Sequence, residues 1–446
     1  MQGKHKYEPQ LSIFKVPLKT LILDTHSLVI LSYRIDWYSM DNEFEQYYSN
    51  SGRPSVPTRT MVGLLMLKSM FNESDESLIS RWVENPYWQY FCGEQFFNHT
   101  PPCDPSDLVH FRKRIQKTGV EYILKVSASL HCKAIKEEQV IIDTTVQEKD
   151  ITFPTDAKLA VGILEACWRL AAKNNVKLHQ SFSRKTAQAK LKLRFGSHPK
   201  KKTIARQAVR DLRRYAKKVI MQLRNHLPEE IKISSQNRFS FYERILSQKI
   251  GDKKKIYSLH EPEVYCMSKG KAHKQYEFGC KVSIGATAKT GVIVSVTSFE
   301  TNISDVHTLE QTLAQIQYVT GRNPREAICD RGYRGKKNIN GTVITIPKPL
   351  PATSSRYQKQ KTRNKFRRRA SIEPIIGHLK YDHRMQRNFL KGVYGDFVNC
   401  VLAGAGFNLK KMLRLIASSL DSIQRCIYSI IYTLINLFCN FKKQAF

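Results

Sequence analysis

Residues 139–145 read QVIIDTT, a short run of apolar and β-branched residues that contains one acid, Asp143. This composition predicts a buried β-strand with Asp143 near its carboxyl end. An ionised carboxylate in such apolar surroundings is unfavourable unless a cation or hydrogen-bond donors lie beside it. We therefore expect Asp143 to have a partner of one of these kinds.

The patterns that follow alternate between strands and helices. The segments YEFGCKVSIGAT and GVIVSVTSF are typical of two antiparallel strands joined by a tight turn. A basic loop is expected before the last helix. The predicted strands are 276–287, 291–299, 327–329 and 343–346, and the predicted helices are 305–319 and one from about Ser371. This order predicts an α/β fold with a mixed sheet flanked by helices.

Two regions of helical pattern complete the predicted domain organisation. Residues 54–130 carry apolar residues at helical spacing, so we interpret 1–130 as an N-terminal helical DNA-binding region. A plain helical core layer and a helix-turn-helix reader of DNA remain equal alternatives for this region. A central domain is expected at 136–391, interrupted by a basic helical insertion at about 156–255, and 392–446 is expected to form a C-terminal helical tail.

The charge of the chain indicates its partner. The 446 residues include 73 Lys and Arg against 38 Asp and Glu, which gives a net charge of +35 at pH 7. A hydrophobic content of 41% supplies a packed core, which excludes a wholly disordered basic tail protein. A folded body of this charge attracts polyanions, so nucleic acid is the expected partner and a membrane surface is the weaker alternative.

The positive charge is concentrated in two segments. Between positions 181 and 226 the many Lys and Arg residues are opposed by Asp211 alone, and between Arg356 and Lys391 twelve are opposed by Glu373 and Asp382. Like charges this dense repel one another on a helix unless phosphates lie beside them. The predicted DNA contacts from these segments include Lys200, Lys201, Lys202, Arg213, Arg214, Arg384 and Arg387.

Three acids are candidates for chemistry. Asp143 and Asp330 each end a short apolar run, and Glu373 stands within the second basic segment. Carboxylates that converge at one sheet edge need a compensating charge, which a pair of divalent cations supplies. Such a pair activates water and stabilises the leaving oxygen in attack on a phosphodiester. Individually, each acid also fits a structural role, as a turn cap or beside a helix N-terminus.

The helix that carries Glu373 has two possible starts. Pro374 lacks the N–H that would bond to the carbonyl of Ala370, so the helix either begins near Ser371 or kinks there. In both cases Glu373 and Lys380 face the same way.

Cysteine usage and the chain ends bear on the compartment. The ten cysteines lack paired spacing and are typical of reduced cytosolic thiols, and residues 1–20 lack the apolar stretch of a signal peptide. The apolar segment 426–441 is shorter than the roughly 20 residues of a spanning helix. We interpret it as a terminal helix packed on the protein or a degraded reading frame, with a membrane anchor as the alternative.

Four ordered motifs resemble those of the DDE transposases of bacterial insertion sequences. They are QVIIDTT, YEFGCKVS, CDRGYRG and RASIEPIIGHLK, and the resemblance extends to about Leu415. It implies an RNase H-like catalytic core. The last motif resembles a subgroup with the signature Tyr-x2-Arg-x3-Glu-x6-Lys. Phe366 stands where that signature has Tyr, which keeps the ring and loses a hydroxyl that could bond a phosphate.

The resemblance implies roles for individual residues. Asp143, Asp330 and Glu373 would bind two Mg²⁺ or Mn²⁺ ions, while Arg369, Lys380 and Phe366 would contact DNA. Asn302 and Asp305, in TNISDVHTL at 301–309, also match the family pattern, and we interpret them as turn and N-cap residues.

The resemblance also implies a reaction and its partners. Water attacks the element end and frees a 3′-hydroxyl, which then attacks target DNA. The expected partners are double-stranded DNA, as transposon ends and target, and a second copy of the chain, with no membrane, in the bacterial cytoplasm at the nucleoid. The alternatives are a nuclease with the same core that performs no strand transfer, and an inactive DNA-binding relic.

Overall fold

A computed structural model describes residues 1–5, 15–194, 196, 198–249, 251–268, 275–348, 350–351 and 353–444, and the side chains of 423–444 are outside this description. The chain forms two compact units. Met1–Gln147 with Lys281–Phe446 makes the first, which we call the core unit, and Glu148–Cys280 makes the second, the insert unit. The domain boundaries proposed from the sequence stay a prediction.

The strands form one mixed sheet. They are β1 (Gln139–Lys149), β2 (Tyr265–Ser268), β3 (Tyr276–Thr287), β4 (Ile293–Phe299), β5 (Glu326–Ile328), β6 (Asn338–Ile339), β7 (Thr342–Thr345) and β8 (Arg387–Asn388). The order β3-β1-β5-β7-β6 is continued by β4, which pairs with β3. Strands β1, β5 and β7 are parallel, whereas β3 and β4 are antiparallel. The predicted α/β class with a mixed sheet is confirmed.

Helices flank this sheet and make up most of the remaining chain. They are α1 (Leu18–Leu21), α2 (Ser27–Arg34), α3 (Trp37–Glu45), α4 (Thr58–Phe71), α5 (Asp75–Glu84), α6 (Pro86–Phe91), α7 (Pro105–Ser129), α8 (Asp156–Lys173), α9 (Ser183–Leu193), α10 (Lys202–His226), α11 (Glu229–Ser247), α12 (Asp305–Thr320), α13 (Arg356–Arg369), α14 (Ile372–Asp382) and α15 (Gly392–Gln444). No helix in the part of the chain that was searched is long and apolar enough to cross a membrane. The side chains of the apolar segment 426–441 lie outside the described residues.

In the second basic segment one expectation is corrected, and of the two possible starts of the next helix the one near Ser371 is confirmed. The expected basic loop is helix α13, which begins with a capping box between Ser355 and Gln358. Helix α14 begins separately at Ile372, after Ser371, so Arg369 and Glu373 belong to different helices. Pro374 lies in the first turn of α14, where its missing N–H costs no helical hydrogen bond.

Helix α4 is part of the core of its unit. Its apolar residues Met61, Leu64, Leu65, Leu67 and Met70 are all buried, as the helical spacing predicts. Helix α15 approaches α4 so closely that a Cβ on Gly406 would lie 2.5 Å from the carbonyl oxygen of Ser69. The first half of α15 is therefore packed in the core, and glycine is needed where the two backbones meet.

The insert unit has its own apolar core between α8, α10 and α11, which includes Leu164, Leu212, Val219 and Phe239. Helix α10 turns small and apolar residues to this core. Its other face carries Lys and Arg residues, which makes the helix strongly amphipathic. The unit thus folds around α10 and exposes a basic surface.

Asn408 on α15 ties that helix to the sheet. Its side-chain oxygen accepts from the Ile293 N–H at 2.9 Å, and its amide donates to the Ile293 carbonyl at 2.8 Å. The same amide donates to Ser127 Oγ at 3.2 Å. Asn408 and Ile293 are both fully buried, so these hydrogen bonds satisfy the backbone N–H and carbonyl of Ile293, which have no access to water.

We expect Asn408→Ala to lower the melting temperature of the protein. The change leaves the N–H and the carbonyl of Ile293 unpaired, at a cost of about 1–3 kcal/mol for each buried group. Asn323→Ala is the control, because Asn323 is exposed and donates only one described hydrogen bond, to the Asn340 carbonyl. Melting followed by circular dichroism should show a drop for the first variant alone, and equal drops would contradict the assignment.

Candidate active site

The parallel pairing of β1 with β5 aligns two of the predicted site residues. The last residue pair in this register is Ile141 with Ile328. Asp143 lies two residues beyond Ile141 on β1, and Asp330 lies two residues beyond Ile328, in the turn that follows β5. The predicted strand at 139–145 is longer than expected, so Asp143 lies within β1 rather than at its end.

Asp330 follows β5 and begins a single 3₁₀ turn at Arg331–Tyr333. Its Oδ1 accepts a hydrogen bond from the Gly332 N–H at 2.8 Å. The preceding Cys329 is fully buried. Burial raises the pKa of the Cys329 thiol, and the negative charges of Asp330 and Asp143 raise it further. One thiol thus lies within the field of both carboxylates.

Asp143 has the two kinds of partner that its apolar surroundings require. Its Oδ1 accepts from the Thr144 N–H at 2.8 Å. Its Oδ2 lies 3.9 Å from Nη1 of Arg369, the last residue of α13. The guanidinium and the N–H group compensate for the removal of this carboxylate from water.

Glu373 is exposed in the first turn of α14. Among the described residues, no three His, Cys, Asp or Glu side chains are grouped closely enough to hold a metal ion. Asp143, Asp330 and Glu373 do not form such a group in this arrangement, and their assignment as metal ligands stays a prediction. The donors themselves are carboxylate oxygens, the ligands that Mg²⁺ and Mn²⁺ prefer, so the chemistry of the set fits a hard divalent cation.

The expectation that Asp305 is the N-cap of α12 is wrong, and its side chain contacts Thr144, the neighbour of Asp143. The N-cap of α12 is Ser304, and Asp305 is the first residue of the helix. Its Oδ1 accepts from Thr144 Oγ1 at 2.8 Å and from Lys281 Nζ at 3.1 Å. Lys281 lies in the motif YEFGCKVS and Asp305 in the segment TNISDVHTL, but the sequence pattern does not show that these two residues form an ion pair.

Helix α13 is fixed to the sheet at its carboxyl-terminal half. Lys365 forms an ion pair with Glu326 at the start of β5, and Gln139 Nε2 donates to the same carboxylate at 2.8 Å. Burial alone would raise the pKa of Glu326, but these donors together with Thr345 lower it. The next residue of α13 is the partly buried Phe366, and the helix ends with Arg369 beside Asp143.

The remaining predicted DNA contacts of this region lie on α14 and beyond it. Lys380 is partly buried on α14, and Arg387 is exposed on β8. The guanidinium carbon of Arg384 lies 5.5 Å from the ring centroid of Phe389, a cation–π contact. Arg384 and Phe389 both line a cavity of about 680 Å³ in the core unit.

The predicted contacts of the insert unit differ in their surroundings. Lys200, Lys201 and Lys202 are exposed at the start of α10, and Arg214 is exposed and pairs with Asp211 at 2.8 Å. Arg213 is different, because its guanidinium bonds to Asp156 Oδ2 at 2.7 Å and to the Gln248 carbonyl at 3.2 Å. Arg213 thus holds α10 to neighbouring segments of its own unit.

Two family models match the chain. Residues 16–114 match "Transposase domain (DUF772)", and residues 252–402 match "Transposase DDE domain". An uncharacterized protein, ORF8 in the nfe locus of Rhizobium meliloti, is 41% identical over 191 residues, which are 42% of this chain and 92% of that protein. The chain belongs to the DDE transposase family. No solved structure matches it significantly.

Four residues discussed above lie within the region that matches the DDE family model, and one lies outside it. Asp330, Glu373, Lys281 and Asp305 lie inside the span of the DDE model, whereas Asp143 precedes it. DDE transposases act on DNA and use divalent metal ions. The resemblance to the Tyr-Arg-Glu-Lys subgroup stays a prediction.

We expect Asp330→Asn to melt at the same temperature as the wild-type transposase or above it. The amide oxygen can still accept from the Gly332 N–H, while one of the two negative charges near Cys329 is removed. Asp330→Ala should melt lower, because it loses a turn cap that is worth about 0.5–2 kcal/mol. Circular dichroism in EDTA measures both, and an equal loss in the two variants would contradict this account.

Proposed function

We propose that this transposase cleaves DNA at the inverted repeats of an insertion sequence and joins the freed end to target DNA. The observation that carries the proposal is that Asp143 and Asp330 each lie two residues beyond the last paired residues of β1 and β5, with the Arg369 guanidinium 3.9 Å from Asp143. Paired acids beside a cation suit the binding of metal ions and a phosphodiester. Membership of the DDE family supports the same reaction class.

Asp143, Asp330 and Glu373 would hold two Mg²⁺ or Mn²⁺ ions. When bound, such ions lower the pKa of water and stabilise the charge that develops on phosphate oxygens. Asp143 and Asp330 are held in place by the N–H groups of Thr144 and Gly332, so their orientation is set before substrate binds. Glu373 is exposed on α14 and would join them as DNA and metal bind, since catalytic contacts tighten in the substrate complex.

The basic residues next to the acids would bind and orient the DNA end. Arg369 can exchange its long contact with Asp143 for a phosphate, to which a guanidinium donates two parallel hydrogen bonds. Phe366 lies on the same helix as Arg369, and its ring can pack against a base or sugar of the DNA. Further contacts to the backbone would come from Lys380, Arg384 and Arg387, and from Lys200, Lys201, Lys202 and Arg214 of the insert unit.

We further propose that two copies of the chain act together on the two ends of one element, at the nucleoid. This step follows from the family resemblance, because joining both ends requires two active sites to work on one piece of DNA.

The catalytic proposal is tested with a labelled element end, Mn²⁺ and the purified chain. Asp143→Asn, Asp330→Asn and Glu373→Gln should each reduce cleavage by about a hundred- to a thousandfold or more, as removal of a group that stabilises the transition state does. Glu310→Gln is the control, since Glu310 lies on α12 and pairs with Lys336 at the surface.

The products decide between the rival functions. Joined strands support transposition, hydrolysis without joining supports a nuclease, and binding without cleavage supports an inactive relic. If Asp143→Asn cleaves as well as the wild type, the assignment of the acids is wrong.

The basic start of α10 should determine part of the salt dependence of binding. Replacing Lys200, Lys201 and Lys202 with Gln should reduce the slope of log K against log salt by about 2.7, if each lysine neutralises one phosphate. Lys232→Gln is the control, because Lys232 lies on α11 and pairs with Glu229. Fluorescence anisotropy of duplex DNA between low and moderate salt measures the slope, and an unchanged slope would remove this surface from the interface.

A further inference from the structure

Thr144 joins two acidic side chains that the sequence separates widely. Its N–H donates to Asp143 Oδ1 at 2.8 Å, and its hydroxyl donates to Asp305 Oδ1 at 2.8 Å. One residue thus contacts a proposed metal ligand through its backbone and a second acid through its side chain.

Lys281 fixes Asp305 from the other side. Its Nζ donates to the Ile303 carbonyl at 2.6 Å and to Asp305 Oδ1 at 3.1 Å. The side chains of Lys281 and Asp305 are only 15% and 28% exposed, so this pair is shielded from water and weakly screened by salt. Oδ1 of Asp305 therefore receives two donors, and the orientation of the carboxylate is determined.

The second oxygen of Asp305 lies near the turn that holds Asp330. A Cβ built on Gly332 would be 2.8 Å from Asp305 Oδ2 and 3.0 Å from Asp330 Oδ1. Gly332 also supplies the N–H that bonds to Asp330. Asp305 is thus close to both residues whose N–H groups orient the paired acids, Thr144 for Asp143 and Gly332 for Asp330.

We propose that Asp305, held by Lys281, is a positioning residue that sets the orientation of Asp143 through Thr144 and of Asp330 through Gly332. This inference rests on the proposed function, since it concerns the same pair of acids. Residues that orient metal ligands in this way typically change metal affinity or activity 10–100-fold when they are altered. The opposing account is that Asp305 only complements the dipole of α12 as its first residue.

The test uses the full chain, a labelled element end and a titration with Mn²⁺. Asp305→Asn and Thr144→Val should each raise the Mn²⁺ concentration for half-maximal cleavage roughly 10–100-fold. Thr144→Ser keeps the hydroxyl, so its Mn²⁺ concentration for half-maximal cleavage should stay in the wild-type range. Glu310→Gln removes an equal charge five positions further along the same helix, where Glu310 pairs with Lys336 at the surface, and should change nothing.

Two further measurements separate positioning from helix stability. The affinity of the chain for Mn²⁺ without DNA, read from the free-ion signal in electron paramagnetic resonance, should weaken in parallel with cleavage. The double variant Asp305→Asn with Thr144→Val should be no worse than the poorer single variant, because the two residues act through one contact. Melting temperatures establish beforehand that each variant is folded, and Thr144→Ser against Thr144→Val remains informative if Asp305→Asn unfolds.

The outcomes distinguish this inference from the proposed function. If the wild type cleaves and Asp305→Asn stays within about twofold of it in both measurements, the positioning role is wrong while the function stands. Effects of Asp305→Asn and Thr144→Val that multiply would also overturn it. A wild type that neither cleaves nor binds Mn²⁺ would overturn both.

Discussion

The register between β1 and β5 is the constraint on which the site depends. It pairs Ile141 with Ile328, each of which stands two residues before one of the acids Asp143 and Asp330, and a slip of one residue would turn every side chain of β1 to the other face of the sheet. The first pair of this register is reinforced by a side-chain hydrogen bond of 2.8 Å from Gln139 to Glu326. A polar contact at the start of the paired segment thus helps to determine which acids meet at its end.

Three acids in this region require compensation, and three different elements supply it, one to each acid. Helix α13 brings Arg369 to Asp143, the turn after β5 brings an N–H to Asp330, and β3 brings Lys281 to Asp305. Helix α13 can do this because Lys365 anchors it to Glu326. The excess of positive charge in the chain therefore has a structural use at the acids in addition to its attraction for DNA.

Local patterns predicted most of the elements correctly. The strand at 276–287 and the helix from 305 agree with the structure, because alternating and helical periodicities depend on near neighbours. Helix α13 was expected to be a loop, since its dense positive charge is unfavourable in isolation. Its stability comes from the ion pair of Lys365 with Glu326 and from a capping box, and the ion pair involves a residue distant in sequence.

The sequence by itself determined the fold class and the family, because these depend on composition and on the order of short motifs. It also predicted Asp143 and Asp330 as candidate acids. Only the tertiary structure decided which groups face those acids. Asp305 contacts Thr144 across 161 positions, and its role as an N-cap was a local expectation that a long-range contact replaced. Likewise, Arg213 is held by Asp156 rather than exposed. Hydrogen bonds between distant segments follow from packing, which local periodicity does not encode.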